Sequence, residues 1–459
     1  MSYATETSVI SPQVVPFYRA IPRLLKDPVA ELARMGAEAA GQVVRVDLGP
    51  FRPYLVSHPD HVQQVLTAEW NNFAREGMFW RPVRRLTGKG ILREGAEWTD
   101  ARKILQPLFT AKYTATLAED MADAIAERVL ELDVHAWTGQ PIDAADQMTA
   151  IVNQAIVKVL FGGRISRDTA ERLAPEFATC ATSIAFRLLF PFIPYSIRVP
   201  GDRAYMRATN NIDEIVYPLI EQARREGARS GKADLIAVLL TAREQQDGRV
   251  DLEQVRDDLV SMYATATETT AMSLTWLWAV LNDHPDVSAR LHEEIDHVVG
   301  QDPVRPEHVP RLSYLHTVLQ ELLRLYPAGW LIPRQAVADT EIGGVRIKAG
   351  SQVLISPYTT HRLPEFWDRP LEFDPGRWAG DGATPRHRYA FFPFGAGPHS
   401  CLGQNLFRIE APLVIANLLS KYRLVQTNPQ PLTALPGASA RPKQQIMLRL
   451  VPIERNPQT

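Results

Sequence analysis

The residues best placed to do chemistry lie in Phe391-Phe-Pro-Phe-Gly-Ala-Gly-Pro-His-Ser-Cys401-Leu-Gly-Gln-Asn. Glycines and prolines crowd just ahead of a cysteine, and a helical pattern begins just after it. That order sets a sulfur at a helix N-terminus, where open N–H groups and the helix dipole favour the thiolate. Backbone N–H groups aimed at the sulfur would moderate its charge and the potential of a bound metal. Gly397 and Gly403 let the backbone approach a flat ligand closely. The chain has one other cysteine, Cys180, and no further cysteine or histidine at ligand spacing, so zinc fits poorly. A single thiolate on one face of a haem fits well.

Two further groups stand out. Ala264-Thr-Ala-Thr-Glu268-Thr269-Thr270 sits in the middle of a long, largely apolar helical pattern. A carboxylate and hydroxyls there are costly unless they are used, or unless the hydroxyls bond back to their own helix. Glu321-Leu-Leu-Arg324 places opposite charges three residues apart on a helix, where they can pair.

The elements that must position these residues are mostly helices. Amphipathic or apolar helical patterns cover Asp27–Ala39, His58–Val65, Trp98–Leu108, Leu117–Leu132, Ala144–Leu160, Arg167–Phe190, Arg203–Arg229 and Asp234–Gln245. The longest runs from Asp251 to His284, stopped by Pro285, and its apolar stretch Met262–Leu281 predicts burial. Helices at Pro285–Val299 and Leu312–Leu325 follow, and a last one spans Leu402–Tyr422. Strand patterns occupy Gln42–Ser57, Thr340–Pro357 and Gln445–Leu450, while Asn71–Glu97 and Arg362–Arg388 read as irregular. The expected class is mainly α with a smaller β-rich part (α+β).

At this point the chain resembles the cytochrome P450 superfamily. Phe394, Gly397, His399, Cys401 and Gly403 meet the family pattern F-x-x-G-x-(R/H)-x-C-x-G. The resemblance implies a fold in which haem b lies between the long helix and the cysteine-loop helix, with Cys401 as the iron's axial ligand. It implies that Glu321 and Arg324 cluster with Arg377, from Phe373-Asp-Pro-Gly-Arg377-Trp378, to hold the region before the cysteine loop. Thr269 is implied to hold dioxygen or water, and Glu268 to relay protons. The sequence departs from the family at Thr265 and Ala266, where a small residue followed by glycine is usual. Trp98 and Arg102, Arg334 and His399 match the usual contacts of the haem propionates, although His399 replaces the commoner arginine. The substrate-lining positions implied by the same resemblance are Phe79, Trp80, Ala264, Thr265, Gly329, Trp330, Leu331 and Leu435, all apolar or small.

The implied activity is insertion of one oxygen atom from O₂ into a C–H or C=C bond of an apolar terpenoid, polyketide or fatty-acid-like molecule. No flavin or nicotinamide fingerprint is present, so NAD(P)H would act only through a ferredoxin or flavodoxin and its reductase. Lys103, Arg386, Arg388 and Arg408 could dock such an acidic partner, or could be scattered solvated charge. A non-redox isomerase or dehydratase need not keep Glu268-Thr269, and a haem sensor or carrier would need no turnover; both rank below the monooxygenase.

Bulk properties agree. The 459 residues are 45% hydrophobic and 22% charged, with a formal net charge of −2 and no block of like charge, so nothing points to nucleic acid. Two cysteines exclude a disulfide framework and suit a reducing cytoplasm. No apolar run reaches the roughly 18 residues of a membrane span. The expected organisation is an N-terminal extension over 1–26 without an anchor, then one catalytic domain over 27–459, acting as a monomer. The apolar stretch Arg187–Ile197 reads equally well as a mobile lid or as core.

Overall fold

The computed structural model describes residues 10–190, 193–226, 235–248, 250–379 and 386–453. They fall into two compact units. The first comprises Met1–Arg81, Gln320–Cys401 and Ala434–Pro436, and the second Pro82–Leu319, Leu402–Thr433 and Gly437–Thr459.

The first unit is built on a six-stranded sheet in the order Gln13–Val15, Val44–Val46, Tyr54–Val56, Gln352–Ile355, Ile332–Ala336 and Phe73–Ala74. Tyr54–Val56 runs parallel to Gln352–Ile355, in register Leu55 to Leu354, and Ile332–Ala336 runs antiparallel to it. Every residue of Gln352–Ile355 is buried, as a central strand covered on both faces requires. The helix Pro28–Glu38 begins with Asp27 capping Ala30 N at 2.9 Å and lies close to Pro357–Thr360. A Cβ on Gly36 would come 2.2 Å from Thr359 Cγ2, so glycine is what permits that approach. Residues 13–26 are a strand of this sheet and a helix, Phe17–Lys26.

The second unit is helical, with a small sheet of Tyr422–Gln426, Met447–Pro452 and Ile142–Asp143. Its axis is the helix Leu252–Asp283, whose 32 residues span about 48 Å. Asp251 caps it through Glu253 N at 3.0 Å, and Pro285 follows its end. Packed mainly against Ala144–Phe161, it is buried from Val255 to Tyr263 and again through most of Thr270–Leu281. Buried charges near its start hold neighbours in place. Arg256 donates to Leu86 O at 2.8 Å and to Asp213 at 2.7 Å, and Asp257 accepts from Lys89 N at 2.7 Å. Arg243 and Asp258, both buried, pair at 2.6 Å.

The strand and helix expectations hold in their cores, with shifted ends. One is corrected: Asn71–Glu97 is not irregular throughout, because Arg81–Thr87 is a helix. Its pattern is masked by three arginines in seven residues, and the Arg256 contact to Leu86 O supplies a tertiary anchor. The helix at Trp98 stops at Leu105, and Gln106–Phe109 tightens into a 3₁₀ turn at Pro107. The predicted ends at Arg229 and Asp234, and positions 380–385, lie outside the described residues, as do Pro191 and Phe192 of the Arg187–Ile197 segment. The rest of that segment is gathered by a buried charge. Arg187 donates to the carbonyls of Ile193 and Ile197 and to Asp202 at 2.6 Å, while Arg85 reaches the other Asp202 oxygen at 3.2 Å.

Candidate active site

In the first unit, the cysteine loop is fixed by its own backbone. Gly395 N donates to Phe392 O at 2.9 Å, Ser400 N to Gly397 O at 3.0 Å and Cys401 N to Phe394 O at 2.8 Å. Gly397 has φ +68°, and a Cβ there would meet Leu66 O at 1.9 Å, so the turn tolerates no side chain. Phe391 packs on Trp378 with ring centroids 4.6 Å apart. His399 sits edge-on to Trp70 at 5.5 Å.

The loop hangs from the Glu321 cluster. Glu321 is fully buried and accepts five hydrogen bonds: two from Arg324 at 2.8 Å, one from Arg377 at 3.1 Å, and one each from Trp378 Nε1 and Asp374 N at 2.9 Å. Arg324 spends its other N–H groups on the carbonyls of His361, Pro370 and Glu372. Charges this deep are tolerated because each is paired and its remaining donors are satisfied. Glu321, Arg324 and Arg377 are thus in direct contact.

A residue the sequence reading missed completes the link. His361 is fully buried; its Nε2 accepts from Phe392 N at 2.9 Å, and its Nδ1 lies 3.3 Å from Arg324 O. Burial, reinforced by Arg324 and Arg362, pushes its pKa down to about 3, so the ring is neutral with its proton on the Nδ1 side. It joins Arg324 to the start of the cysteine loop across more than thirty residues of chain, which periodicity cannot reveal.

The two cysteines differ in kind. Cys180 is fully buried and its thiol is pushed up to about 12, chiefly by burial, as suits an inert core residue. Cys401 is exposed, on a loop whose backbone is tied down on either side of Gly397. Cysteine is among the residues most often buried, so an exposed one on a rigid turn is the informative case. Among the described residues no group of three or more His, Cys, Asp or Glu could hold a metal. A bare ion would thus find one donor at Cys401, whereas a porphyrin brings its own nitrogens and needs only the axial sulfur. The residues present fit a haem.

In the second unit, the polar stretch of the long helix coincides with a break in its burial. Between the buried runs, Ala264, Thr265, Ala266, Glu268 and Thr269 all keep exposed surface, and only Thr267 is buried. Ala264, Thr265 and Glu268 face a cavity of about 910 Å³, whose apolar wall includes Val83, Leu86, Leu92, Phe177 and Ile184. The hydroxyls bond back to the helix: Thr265 to Ser261 O at 2.7 Å and Thr269 to Thr265 O at 2.7 Å. Glu268 is raised above the ordinary carboxyl range by desolvation, against the pull of Arg441 and the hydrogen bonds of Ser439. These two partners, about 170 residues further on, left no signal in the sequence. One turn along, Glu410 is fully buried with Thr270 as its hydrogen-bond partner, and burial pushes its carboxyl up to about 8.

The other expected positions are divided between the units. Trp98 is buried and Arg102 half-buried in the helix Ala96–Leu105, with Arg102 Nε 3.1 Å from Gln106 Oε1. Arg334 is buried in the strand Ile332–Ala336. Of the expected lining, Trp80 donates to Pro333 O at 3.1 Å and Phe79 packs on Phe51 at 5.7 Å. Trp330 is buried with its carbonyl bonded by Ser356, Leu331 and Leu435 are half-buried, and Gly329 faces open space. Of the basic residues considered for docking, Lys103, Arg388 and Arg408 are exposed, but Arg386 stacks on Trp367 at 4.5 Å.

Comparison with known proteins agrees with this architecture. The family pattern described as Cytochrome P450 matches residues 11–450. The cyclooctat-9-en-7-ol 5-monooxygenase of Streptomyces melanosporofaciens is 35% identical over 94% of this chain and 91% of its own length. The pentalenene oxygenase of Streptomyces avermitilis is 29% identical over 96% and 95%. Among solved structures, the haem domain of cytochrome P450DA superposes with a TM-score of 0.83 at 22% identity, covering 98% of both chains.

Proposed function

Because this chain belongs to the cytochrome P450 family, we propose that it is a monooxygenase of cyclic terpenoids that carries haem b on Cys401. The observation that carries the reading is the exposed Cys401 on a loop fixed by Gly397, His361 and the Glu321 cluster. The cavity beside Ala264 and Thr265, which has an apolar wall together with charged residues such as Glu127, Arg128 and Lys158, is large enough for a substrate of terpenoid bulk. The names of the two Streptomyces relatives point to the same class.

Haem, when bound, supplies the reductive activation of O₂. The chain's own residues hold, orient and deliver protons. Cys401 gives the sulfur, and its rigid turn fixes the direction in which that sulfur points. Trp98, Arg102, Arg334 and His399 would hold the haem through its two carboxylates. Thr269 exchanges its bond to Thr265 O for one to oxygen or water. Glu268, with a raised pKa, takes a proton from the side of Ser439 and passes it toward Thr269. By the family resemblance, Phe79, Trp80, Gly329, Trp330, Leu331 and Leu435 are further positions for substrate contact. Electrons come from NAD(P)H through a ferredoxin or flavodoxin and its reductase, docking on exposed basic residues such as Lys103, Arg388 and Arg408. Residues 27–459 act as one catalytic domain, in a monomer of the cytoplasm.

The test is the carbon-monoxide difference spectrum of the dithionite-reduced protein beside Cys401→Ala, followed by titration with cyclic sesquiterpenes and diterpenes. A red-shifted Soret band lost in the variant, with a low-to-high spin shift on terpene addition, is expected. A band at the histidine-haem position overturns the ligand assignment, and spin shifts with fatty acids but no terpene overturn the substrate class.

A further inference from the structure

The helix Phe17–Lys26 turns its apolar side to water. Phe17 is 57% exposed, Tyr18 62%, Ile21 37% and Leu25 75%. At 100° per residue, Phe17, Ile21 and Leu25 follow one another up a single face, with Tyr18 at its edge. The side turned to the protein is a different one, marked by Ala20, which is fully buried. Arg19, Arg23 and Lys26 fill the remaining arc. An amphipathic helix normally spends its apolar face on the core; this one does not, which needs a reason.

The charge on this helix is of one sign. It carries no acid. The nearest candidate to neutralise it, Glu31, is 4.0 Å from Arg23 but is already held by two hydrogen bonds from Arg34, at 2.6 and 2.7 Å. Asp27 is engaged as the cap of the next helix. Aromatic and leucine side chains on one arc, flanked by arginine and lysine, are the pattern of a helix that lies in the plane of a bilayer interface. Spanning is not at issue, since no helix among the described residues is long and apolar enough to cross a membrane.

We propose that Phe17–Lys26 is a docking surface for an anionic phospholipid bilayer, with Phe17, Ile21, Leu25 and Tyr18 in the headgroup boundary and Arg19, Arg23 and Lys26 on the phosphates. The arrangement commits to lipid because the charge is uniformly positive around an apolar arc. It is independent of the terpenoid reading, though a protein held at a bilayer would meet apolar molecules where they dissolve.

The experiment is co-sedimentation of the full-length holoprotein with vesicles of phosphatidylcholine mixed with phosphatidylglycerol, and with phosphatidylcholine alone. Binding to the mixed vesicles is expected, weakening as salt is raised. Phe17→Ser with Leu25→Ser should lower partitioning more than about tenfold. Replacing Arg19, Arg23 and Lys26 by Gln should lower it by about fivefold per residue at low salt. The carbon-monoxide spectrum of each variant should match the parent, showing that the fold is kept. No binding to the mixed vesicles, or binding unchanged in the Phe17/Leu25 variant, overturns the proposal. So does a lipid-free dimer in sedimentation velocity that this variant dissociates, because a second copy would then be the occupant.

Discussion

Replacing Glu321 with Gln tests the claim that a charge cluster, and not apolar packing alone, holds the cysteine loop. The substitution keeps the size of the side chain. It removes the carboxylate paired with two buried guanidinium groups, Arg324 and Arg377, at 2.8 and 3.1 Å. It also turns one oxygen into an NH₂ group facing the donors that converge there, so at least two of the five hydrogen bonds must be lost. Breaking a buried pair of this kind costs about 3–5 kcal/mol, a large part of the roughly 5–15 kcal/mol by which folded domains are stable. The assay is urea unfolding of the haem-loaded protein, followed by circular dichroism and by the carbon-monoxide band. Asp339→Asn is the control: it breaks an exposed pair with Arg346 while an amide oxygen can still accept from Ala349 N, so it is expected to matter by less than about 1 kcal/mol. Glu321→Gln should lose the thiolate-haem signal well before the control does. Equal stability of the two variants would refute the argument.

Two further substitutions address protons. Glu268→Gln keeps the hydrogen-bonding shape toward Ser439 but cannot give up a carboxyl proton, so turnover should fall by roughly 10²–10⁴-fold while substrate binding, read as the spin shift, stays unchanged; equal turnover would remove Glu268 from the relay. Glu410 is neutral when folded because burial lifts its pKa from 4.5 to about 8. The native state therefore holds a proton that the unfolded chain releases, so its contribution to stability is full below pH 4.5 and is lost as the pH rises to 8. At pH 7 that loss is about 3 kcal/mol, and Glu410→Gln should abolish it, flattening the pH dependence of urea midpoints between pH 5 and 8. A variant with an unaltered slope would mean that Glu410 ionises freely in the native protein.

The parts of this molecule that were legible in the sequence are those whose partners lie close along the chain. Cys401 stands within a few residues of the glycines that shape its turn. Glu321 and Arg324 are one helical turn apart, and the apolar length of Leu252–Asp283 reports its own burial. Arg377 was reachable only because its local motif is distinctive. What escaped were the other partners set by tertiary approach. His361 is tied to Phe392 and Arg324, Ser439 and Arg441 face Glu268, and Glu410 shelters beside Thr270. None of them has a neighbour in sequence that marks its role.

The same distinction explains why the polar stretch of the long helix was ambiguous. From the sequence, hydroxyls at 265 and 269 that serve oxygen and hydroxyls that serve only their own helix look alike. In the structure both bond to the carbonyl one turn back, which is the inexpensive arrangement for a threonine in a helix. What separates this stretch from an ordinary buried one is the neighbouring carboxyl. Glu268 keeps exposed surface and lines the cavity together with its partners Ser439 and Arg441. A carboxyl with a raised pKa, some exposed surface and a cationic neighbour is in a position to take up and release a proton, whereas Glu410 is closed off from solvent. On the proposed reading Glu268 is the carboxyl that moves a proton, while Glu410, beside Thr270, is held neutral by burial.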